Sequence, residues 1–190
     1  MRNQRVVLLV EIAIFAALGY VLDMIGFGMP QGGDVSFVLV PIILIAFRRG
    51  TVAGLITGFL VGLLQVATGR VSAAPLSFEI VILQVATDYF LAYMLAGFAG
   101  IFRGFFLEAL NQQNKKRMGI AIVCGALLAS FLRYLAHVFS GILFFKEFAE
   151  GNVILYSLGY NATYMIPVFI LAAIICSTLF LKAPRLILPK

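Results

Sequence analysis

The chain has 190 residues, of which 63% are hydrophobic and 12% are charged, and its mean hydropathy is +1.08. This composition excludes a soluble globular protein and a disordered chain, and it predicts an integral membrane protein. The net charge of +6 would indicate nucleic-acid binding in a soluble protein, but here the basic residues flank apolar runs, so nucleic acid is excluded as a partner.

The apolar runs predict an all-α bundle of six transmembrane helices. Because about 20 apolar residues are needed for each crossing, the chain has room for about six helices in one membrane domain, residues 1–190, with no soluble domain. The first helix is interpreted as retained, since no small-residue cleavage site precedes the next loop. The predicted helices cover about 5–27, about 35–47, a third stretch from residue 50, about 79–103, about 119–145 and about 153–181.

Two cysteines occur in the chain, Cys124 and Cys176, and both fall inside predicted helices. We therefore expect two buried thiols and no disulfide framework.

Small residues recur at a spacing of four in the first and third predicted helices. Ala13 and Ala17 form a small-xxx-small pair, which serves either packing within the bundle or docking to another membrane protein. The repeat in the third helix predicts a groove for a neighbouring backbone, and its members are Gly50, Gly54, Gly58 and Gly62.

The basic residues predict the orientation. Six crossings place both termini on one side of the membrane, and only Arg70 and Lys146 fall in the loops of the other side. By the positive-inside rule both termini are expected to be cytoplasmic, with the loops 26–34, 70–78 and 146–152 outside. The basic residues of the expected cytoplasmic side are Arg2, Arg5, Arg48, Arg49, Arg103, Lys115, Lys116, Arg117, Lys182, Arg185 and Lys190.

Ionisable groups inside the membrane predict a site, because they are costly there. At about 1.5 Å of rise per residue, Asp88 lies roughly 14 Å from the outer end of the fourth helix, with Gln84 above it. His137 lies roughly 12 Å below the outer end of the fifth helix, and Arg133 lies about one turn deeper. Asp88 either pairs with Arg133 or faces a ligand, and His137 either bridges two helices or belongs to the site.

The sixth helix brings further polar groups to the same outer half. Tyr156, Tyr160 and Asn161 fall in its first turns, while Tyr164 is interpreted as an interfacial residue. The phenylalanine pair 144–145 serves either as lipid-facing or core packing or as a stacking platform. Apolar walls with a few convergent polar groups are typical of a small-molecule pocket.

This pocket is expected to recognise a small, flat, cationic solute that enters from outside, where Asp34 and Glu79 also lie. The sequence contains no phosphate-binding glycine loop, no zinc-binding His/Glu pair and no serine with a basic partner, so neither catalysis nor a cofactor or metal is predicted. If the chain transports a solute, another protein must supply the energy.

Three blocks carry a resemblance to a known family: VPIILIAFRRGTVAGLITGFLVGLLQ at 40–65, QVATDYFLAYMLAGFAGIF at 84–102 and RYLAHVFSGILFFKEFAEGNVILYSLGYN at 133–161. They resemble the thiamin-specific substrate-binding (S) component of energy-coupling factor (ECF) transporters. The resemblance implies a six-helix protein of a prokaryotic plasma membrane that captures thiamin at the outer face. It also implies a membrane coupling subunit and two cytosolic ATPases as partners, and no enzymatic activity.

The resemblance also implies roles for particular residues. It makes Ala13 and Ala17 the docking motif for the coupling subunit, and it gives thiamin contacts to Asp88, Tyr89, His137, Phe145, Tyr156 and Asn161. Gln84, Arg133 and Tyr160 are also expected to bind the ligand, because they lie at a similar depth in the predicted helices. The chain departs from the family in having no tryptophan and in carrying Asp88 where relatives often have glutamate.

Three alternatives remain open from the sequence. One is an S component for a related heterocycle, such as riboflavin or a thiamin precursor. Another is a small intramembrane enzyme that uses Asp88 and His137 as an acid–base pair. The third is a purely structural subunit, in which Asp88 contributes to stability alone.

Overall fold

The computed structural model describes residues 2–188. Within that range six helices form one bundle: α1 (Arg2–Asp23), α2 (Leu39–Arg49), α3 (Thr51–Ala67), α4 (Phe78–Asn111), α5 (Lys115–Phe144) and α6 (Val153–Lys182). The prediction of an all-α six-helix membrane protein is confirmed. Four of the helices, α1, α4, α5 and α6, are long and apolar enough to cross a membrane.

The short helix α2 forms the centre of the bundle. All of its residues from 39 to 47 are buried, and Phe47 packs edge-on against Phe106 with ring centroids 5.7 Å apart. A helix that is apolar on every side is stable only where other helices surround it. The remaining helices therefore pack around α2.

Several predicted boundaries were wrong. The first helix ends at Asp23, before the predicted residue 27, and the next begins at Leu39 instead of about 35. Between them lies a small antiparallel hairpin of β1 (Phe27–Gly28) and β2 (Asp34–Val35), in a stretch predicted to be a loop.

The fourth helix continues past the predicted end at 103 to Asn111. The connection between the fourth and fifth helices is therefore only residues 112–114. Its added turns are stable because Phe106 and Ala109 are buried against the bundle, while Glu108 is exposed. Asn114 then caps α5 by accepting a hydrogen bond from the backbone of Arg117.

The glycine face of α3 lies directly against the backbone of α4. A Cβ atom on Gly62 would overlap the carbonyl oxygen of Tyr89, and one on Gly58 would overlap that of Tyr93. The predicted groove for a neighbouring backbone is therefore confirmed at these positions. Gly50 was wrongly included, because it joins α2 to α3 with φ +95° and has open space around it.

The part of α4 that contacts these glycines is not an ordinary α-helix. Residues Ala86–Leu91 form a π-helical turn, in which the amide of Ala92 bonds to the carbonyl of Thr87, and Ala96–Phe102 form a 3-10 segment. A π turn carries an additional residue and changes the direction of the side chains that follow it. Asp88 and Tyr89 lie within this turn.

Both ends of the described chain, residues 2–188, lie at the same end of the bundle. Glu11 of α1 accepts hydrogen bonds from Arg48 (2.8 Å) and Arg49 (2.6 Å) at the junction of α2 and α3. Arg48 also donates to the carbonyls of Leu186 and Leu188, each at 2.9 Å. The β hairpin and the 68–77 and 145–152 connections form the opposite end; Lys190, which contributed to the charge argument, lies outside the described residues.

The prediction that both cysteines are buried, unpaired thiols inside helices is correct for Cys176 and wrong in burial for Cys124. Cys124 lies in α5 and Cys176 in α6, and both are free thiols. Cys176 is buried, whereas Cys124 is half-buried.

We predict that Gly62→Ala destabilises the protein, because its methyl group must displace the π turn of α4. Overpacking of this kind costs roughly 1–3 kcal/mol, and it should appear as a lower unfolding temperature in detergent. The matched control is Gly119→Ala in α5, where nothing lies within 4 Å of the new Cβ. The control should unfold no earlier than the parent protein, because alanine is the better helix former. Equal unfolding temperatures for both variants would contradict the tight contact between α3 and α4.

Candidate functional site

A cleft opens at the end of the bundle that carries the hairpin, and α3, α4, α5, α6 and the hairpin all line it. Its empty volume, including the open mouth, is about 630 Å³. The predicted site residues that line it are Asp88, Tyr89, Arg133, His137, Phe145, Tyr156, Tyr160 and Asn161.

Asp88 and His137 form the charged centre of the cleft. The Asp88 carboxylate lies 3.0 Å from Nδ1 of His137 and accepts a hydrogen bond of 2.7 Å from the Ser140 hydroxyl. Because a carboxylate only accepts hydrogen bonds, Nδ1 carries the proton in this contact. Nε2 of His137 is buried and has no hydrogen-bond partner among the described residues.

The predicted alternative in which Asp88 pairs with Arg133 is wrong. Arg133 is only 2% exposed, and its guanidinium lies 4.2 Å from the ring centroid of Tyr93. Its Nε and Nη1 atoms are buried without a hydrogen-bond partner in the described part of the chain. The deeper position of Arg133 on α5 brings it to the floor of the cleft, one turn away from the Asp88 contact.

Helix α6 holds the hairpin over the cleft through two tyrosines. The Tyr156 hydroxyl donates to Oε1 of Gln31 at 3.0 Å. The Tyr160 hydroxyl accepts from the amide of Gln31 at 2.8 Å and donates to the carbonyl of Gly32 at 2.9 Å. The two rings stack with centroids 5.9 Å apart. Gln31 and its neighbours therefore form one wall of the site.

Asn161 and Tyr164 form a second polar contact on α6. The Asn161 amide donates to the carbonyl of Ser157 at 2.9 Å, and its oxygen accepts from the Tyr164 hydroxyl. The interpretation of Tyr164 as an interfacial residue was wrong. It is 2% exposed and lines the cleft, because its position one turn below Tyr160 lies on the same inward face of α6.

Gln84 is the predicted site residue that the structure places elsewhere. It is fully buried, and its side chain bonds to the 68–77 connection, accepting from the amide of Ala74 and donating to the carbonyl of Ser72, each at 3.0 Å. The amide of Ser72 in turn donates to the Tyr89 hydroxyl at 2.6 Å. Gln84 thus orders a loop beside the cleft and is not part of its lining.

The phenylalanine pair divides between two roles. Phe145 lines the cleft at the C-terminal end of α5, whereas Phe144 is buried and does not line it. Phe145 also lies 6.1 Å from Phe148 between ring centroids, in the short turn that follows α5.

Several lining residues were missed in the sequence, although helical spacing could have indicated some of them. Tyr93 follows Tyr89 by four positions and Ser140 follows His137 by three, so each shares a helix face with a predicted residue. Gln65 is a polar residue inside an apolar helix, which is itself a signal. No local pattern pointed to Gln31, Gly32 and Gly33, because they reach the cleft through the fold of the hairpin.

The small-residue pair of α1 lies on the outside of the bundle. Ala13 and Ala17 are exposed, while Ala16 and Gly19 on the opposite face are buried. The reading of this pair as packing within the bundle was therefore wrong, since the pair lies on the surface of the bundle.

Known proteins similar to this chain share its whole length. ThiT of Bacillus subtilis, a thiamine transporter, is 42% identical over 98% of this chain and 96% of its own length. The thiamine transporter ThiT of Lacticaseibacillus paracasei is 26% identical over 100% of this chain and 94% of its own.

Two solved structures share the fold of this chain. The structure of ThiT from Listeria monocytogenes superimposes with a TM-score of 0.88 at 30% identity, covering 98% of this chain and all of that one. An S component of a bacterial ECF transporter superimposes with a TM-score of 0.53 at 20% identity, over 97% of this chain and 95% of that one, and supports the fold alone.

The match to a protein family extends over nearly the whole chain, from residue 9 to residue 188, and the family is described as thiamine transporter protein. Together with the similarity to ThiT of Bacillus subtilis, this match shows that the chain is a multi-pass membrane protein belonging to the thiamine transporter family.

Proposed function

We propose that the chain is the thiamin-binding S component of an ECF transporter, which captures thiamin at the outer face of a prokaryotic plasma membrane. The observation that carries the proposal is the buried contact of 3.0 Å between Asp88 and His137 at the centre of an aromatic cleft. Thiamin joins a cationic thiazolium ring to a flat aminopyrimidine. A cleft that offers a carboxylate, aromatic faces and unfilled hydrogen-bonding atoms complements both rings.

In this proposal each wall of the cleft has its own role. Asp88 supplies the negative charge that attracts the thiazolium ring, and Phe145 with the tyrosines supplies flat apolar surfaces. His137 is oriented by Asp88, so that its free Nε2 accepts a hydrogen bond from the ligand. Asn161 is held by Ser157 and Tyr164 at a fixed angle to the cleft.

Transport in this proposal depends on partner proteins. The whole chain, residues 1–190, acts as a single membrane domain with no enzymatic activity of its own and no cofactor. A membrane coupling subunit docks on the surface around Ala13 and Ala17, and two cytosolic ATPases supply the energy. The excess of basic residues at the end that carries the termini supports a cytoplasmic location for both termini.

We predict that Asp88→Asn weakens thiamin binding by roughly 10- to 100-fold, because the hydrogen bonds and charge attraction of a carboxylate are lost while its shape is kept. The measurement is calorimetric titration of the purified chain in detergent with thiamin. Riboflavin, titrated in parallel, should give no heat of binding. His137→Ala should also weaken thiamin binding.

The matched control is Glu147→Gln, which neutralises an exposed carboxylate in the turn after α5. It should bind thiamin as the parent does. If Asp88→Asn unfolds at a lower temperature yet binds thiamin with unchanged affinity, Asp88 has a structural role only. Absence of thiamin binding by the folded parent protein would overturn the proposal itself.

We also predict that replacing both small residues of α1, Ala13→Leu with Ala17→Leu, abolishes uptake and leaves thiamin binding intact. Two added isobutyl groups prevent close approach of a partner helix to this exposed face. Uptake is measured with labelled thiamin in proteoliposomes that contain the coupling subunit and ATPases. Ala67→Leu, at an exposed position near the outer end of α3, is the matched control and should transport normally. If the double variant took up thiamin at the same rate as the parent protein, this face of α1 would be excluded as the docking surface.

A further inference from the structure

Gln65 of α3 brings an amide group of fixed orientation to the floor of the cleft. Its side chain is 2% exposed and lines the cleft beside Tyr93 and Arg133. Nε2 donates to Oδ2 of Asp23 at 2.9 Å and to the Tyr93 hydroxyl at 2.8 Å. An amide nitrogen has two hydrogens, so both are used in these contacts.

Asp23 determines which way this amide points. Asp23 is 1% exposed at the end of α1, where Ser36 donates to its Oδ1 at 2.8 Å and Arg70 lies 3.8 Å from its Oδ2. A flipped Gln65 would place its oxygen against the carboxylate, leaving two acceptors in contact without a proton between them. The oxygen Oε1 must therefore point away from Asp23, and it makes no side-chain hydrogen bond among the described residues.

Arg133 adds unfilled donors on the other side of the same tyrosine. Its guanidinium lies 4.2 Å from the Tyr93 ring centroid, and its Nε and Nη1 have no partner within residues 2–188. Buried polar groups of this kind are costly unless something satisfies them. Around Tyr93 the floor of the cleft therefore holds one acceptor without a side-chain donor, Oε1 of Gln65, and guanidinium donors of Arg133 that are buried without a partner among the described residues.

We propose that Gln65 is a further ligand-binding residue, which accepts a hydrogen bond from an N–H or O–H group of the ligand, and that Asp23 is its positioning residue. Arg133 donates to an acceptor atom next to that group. This inference rests on the proposed function. Thiamin offers two groups in which a donor lies beside an acceptor: the amino group next to a ring nitrogen of its pyrimidine, and the hydroxyl of its side chain.

The first test is Gln65→Met, which keeps the length of the side chain and removes the amide. Loss of one hydrogen bond to the ligand should weaken thiamin binding about tenfold in calorimetric titration. Gln112→Met, in the exposed connection between α4 and α5, is the matched control and should bind thiamin normally.

Two thiamin analogues identify which group of the ligand Gln65 contacts. They also distinguish ligand binding by Gln65 from a purely structural role in holding α1 against α4. One carries an oxo group in place of the pyrimidine amino group, and the other carries ethyl in place of hydroxyethyl. The parent protein should bind one of them at least about tenfold more weakly than thiamin, and Gln65→Met should show little further loss for that analogue. If the parent binds both analogues with the same affinity as thiamin, neither donor group contributes to binding. The proposal is then overturned, whether or not Gln65→Met folds.

Asp23→Asn tests the positioning role. Asparagine has both a donor and an acceptor, so the Gln65 amide loses its single orientation, and thiamin affinity should fall by less than in Gln65→Met. Combined with Gln65→Met, it should cause no additional loss of affinity, although the unfolding temperature falls further. A loss of the same size for thiamin and both analogues in Gln65→Met would show that the residue only braces α1 against α4. Failure of the proposed function is distinguishable, because the parent protein would then not bind thiamin.

Discussion

The close approach of α3 to α4 is the contact on which the site depends. Gly58 and Gly62 lie against the carbonyl groups of Tyr93 and Tyr89, at a separation that leaves no room for a Cβ atom. This contact fixes the π turn Ala86–Leu91, and through it the direction of Asp88. In a membrane, where helices gain little from burying apolar surface, such backbone contact supplies much of the packing energy. The geometry of the cleft therefore depends on the absence of side chains at Gly58 and Gly62 of α3.

The polar groups around the cleft connect helices, and some of their atoms have no partner in the described part of the chain. Asp88 joins α4 to α5 through His137 and Ser140, while Asp23 joins α1 to α3 through Gln65. Each carboxylate is satisfied by donors from other elements, as burial requires. Among the buried side-chain atoms without a partner in the described part of the chain, those of His137 and Arg133 belong to residues that line the cleft, whereas those of Arg103 and Ser130 lie elsewhere. Structural and recognition roles are thus combined in the same residues, so the cleft is held in shape before a ligand enters.

The sequence predicted much of this arrangement, and its errors have a common cause. Hydropathy and helical rise were sufficient to predict six helices and to bring Asp88 and His137 to the same depth. Depth along an axis does not give the rotation of a helix about that axis. Gln84 and Asp88 would share a face on an α-helix, but the π turn that begins at Ala86 breaks the spacing of four and leaves Gln84 directed at a loop. The hairpin that brings Gln31 into the site depends on contacts with Tyr156 and Tyr160, which are more than 120 positions away in the chain.

Helix α1 connects the two ends of the bundle. Near its middle Glu11 is bonded to Arg48 and Arg49, and its last residue, Asp23, is bonded to Gln65 at the floor of the cleft. Its outward face carries Ala13 and Ala17, the proposed docking surface. A helix of 22 residues is about 33 Å long and moves nearly as a rigid rod. A partner that tilts α1 at this face must therefore either break the contact between Asp23 and Gln65 or carry Gln65 with it. In both cases the hydrogen-bonding pattern at the floor of the cleft would change, which would couple the proposed docking on α1 to retention of the ligand through one buried carboxylate.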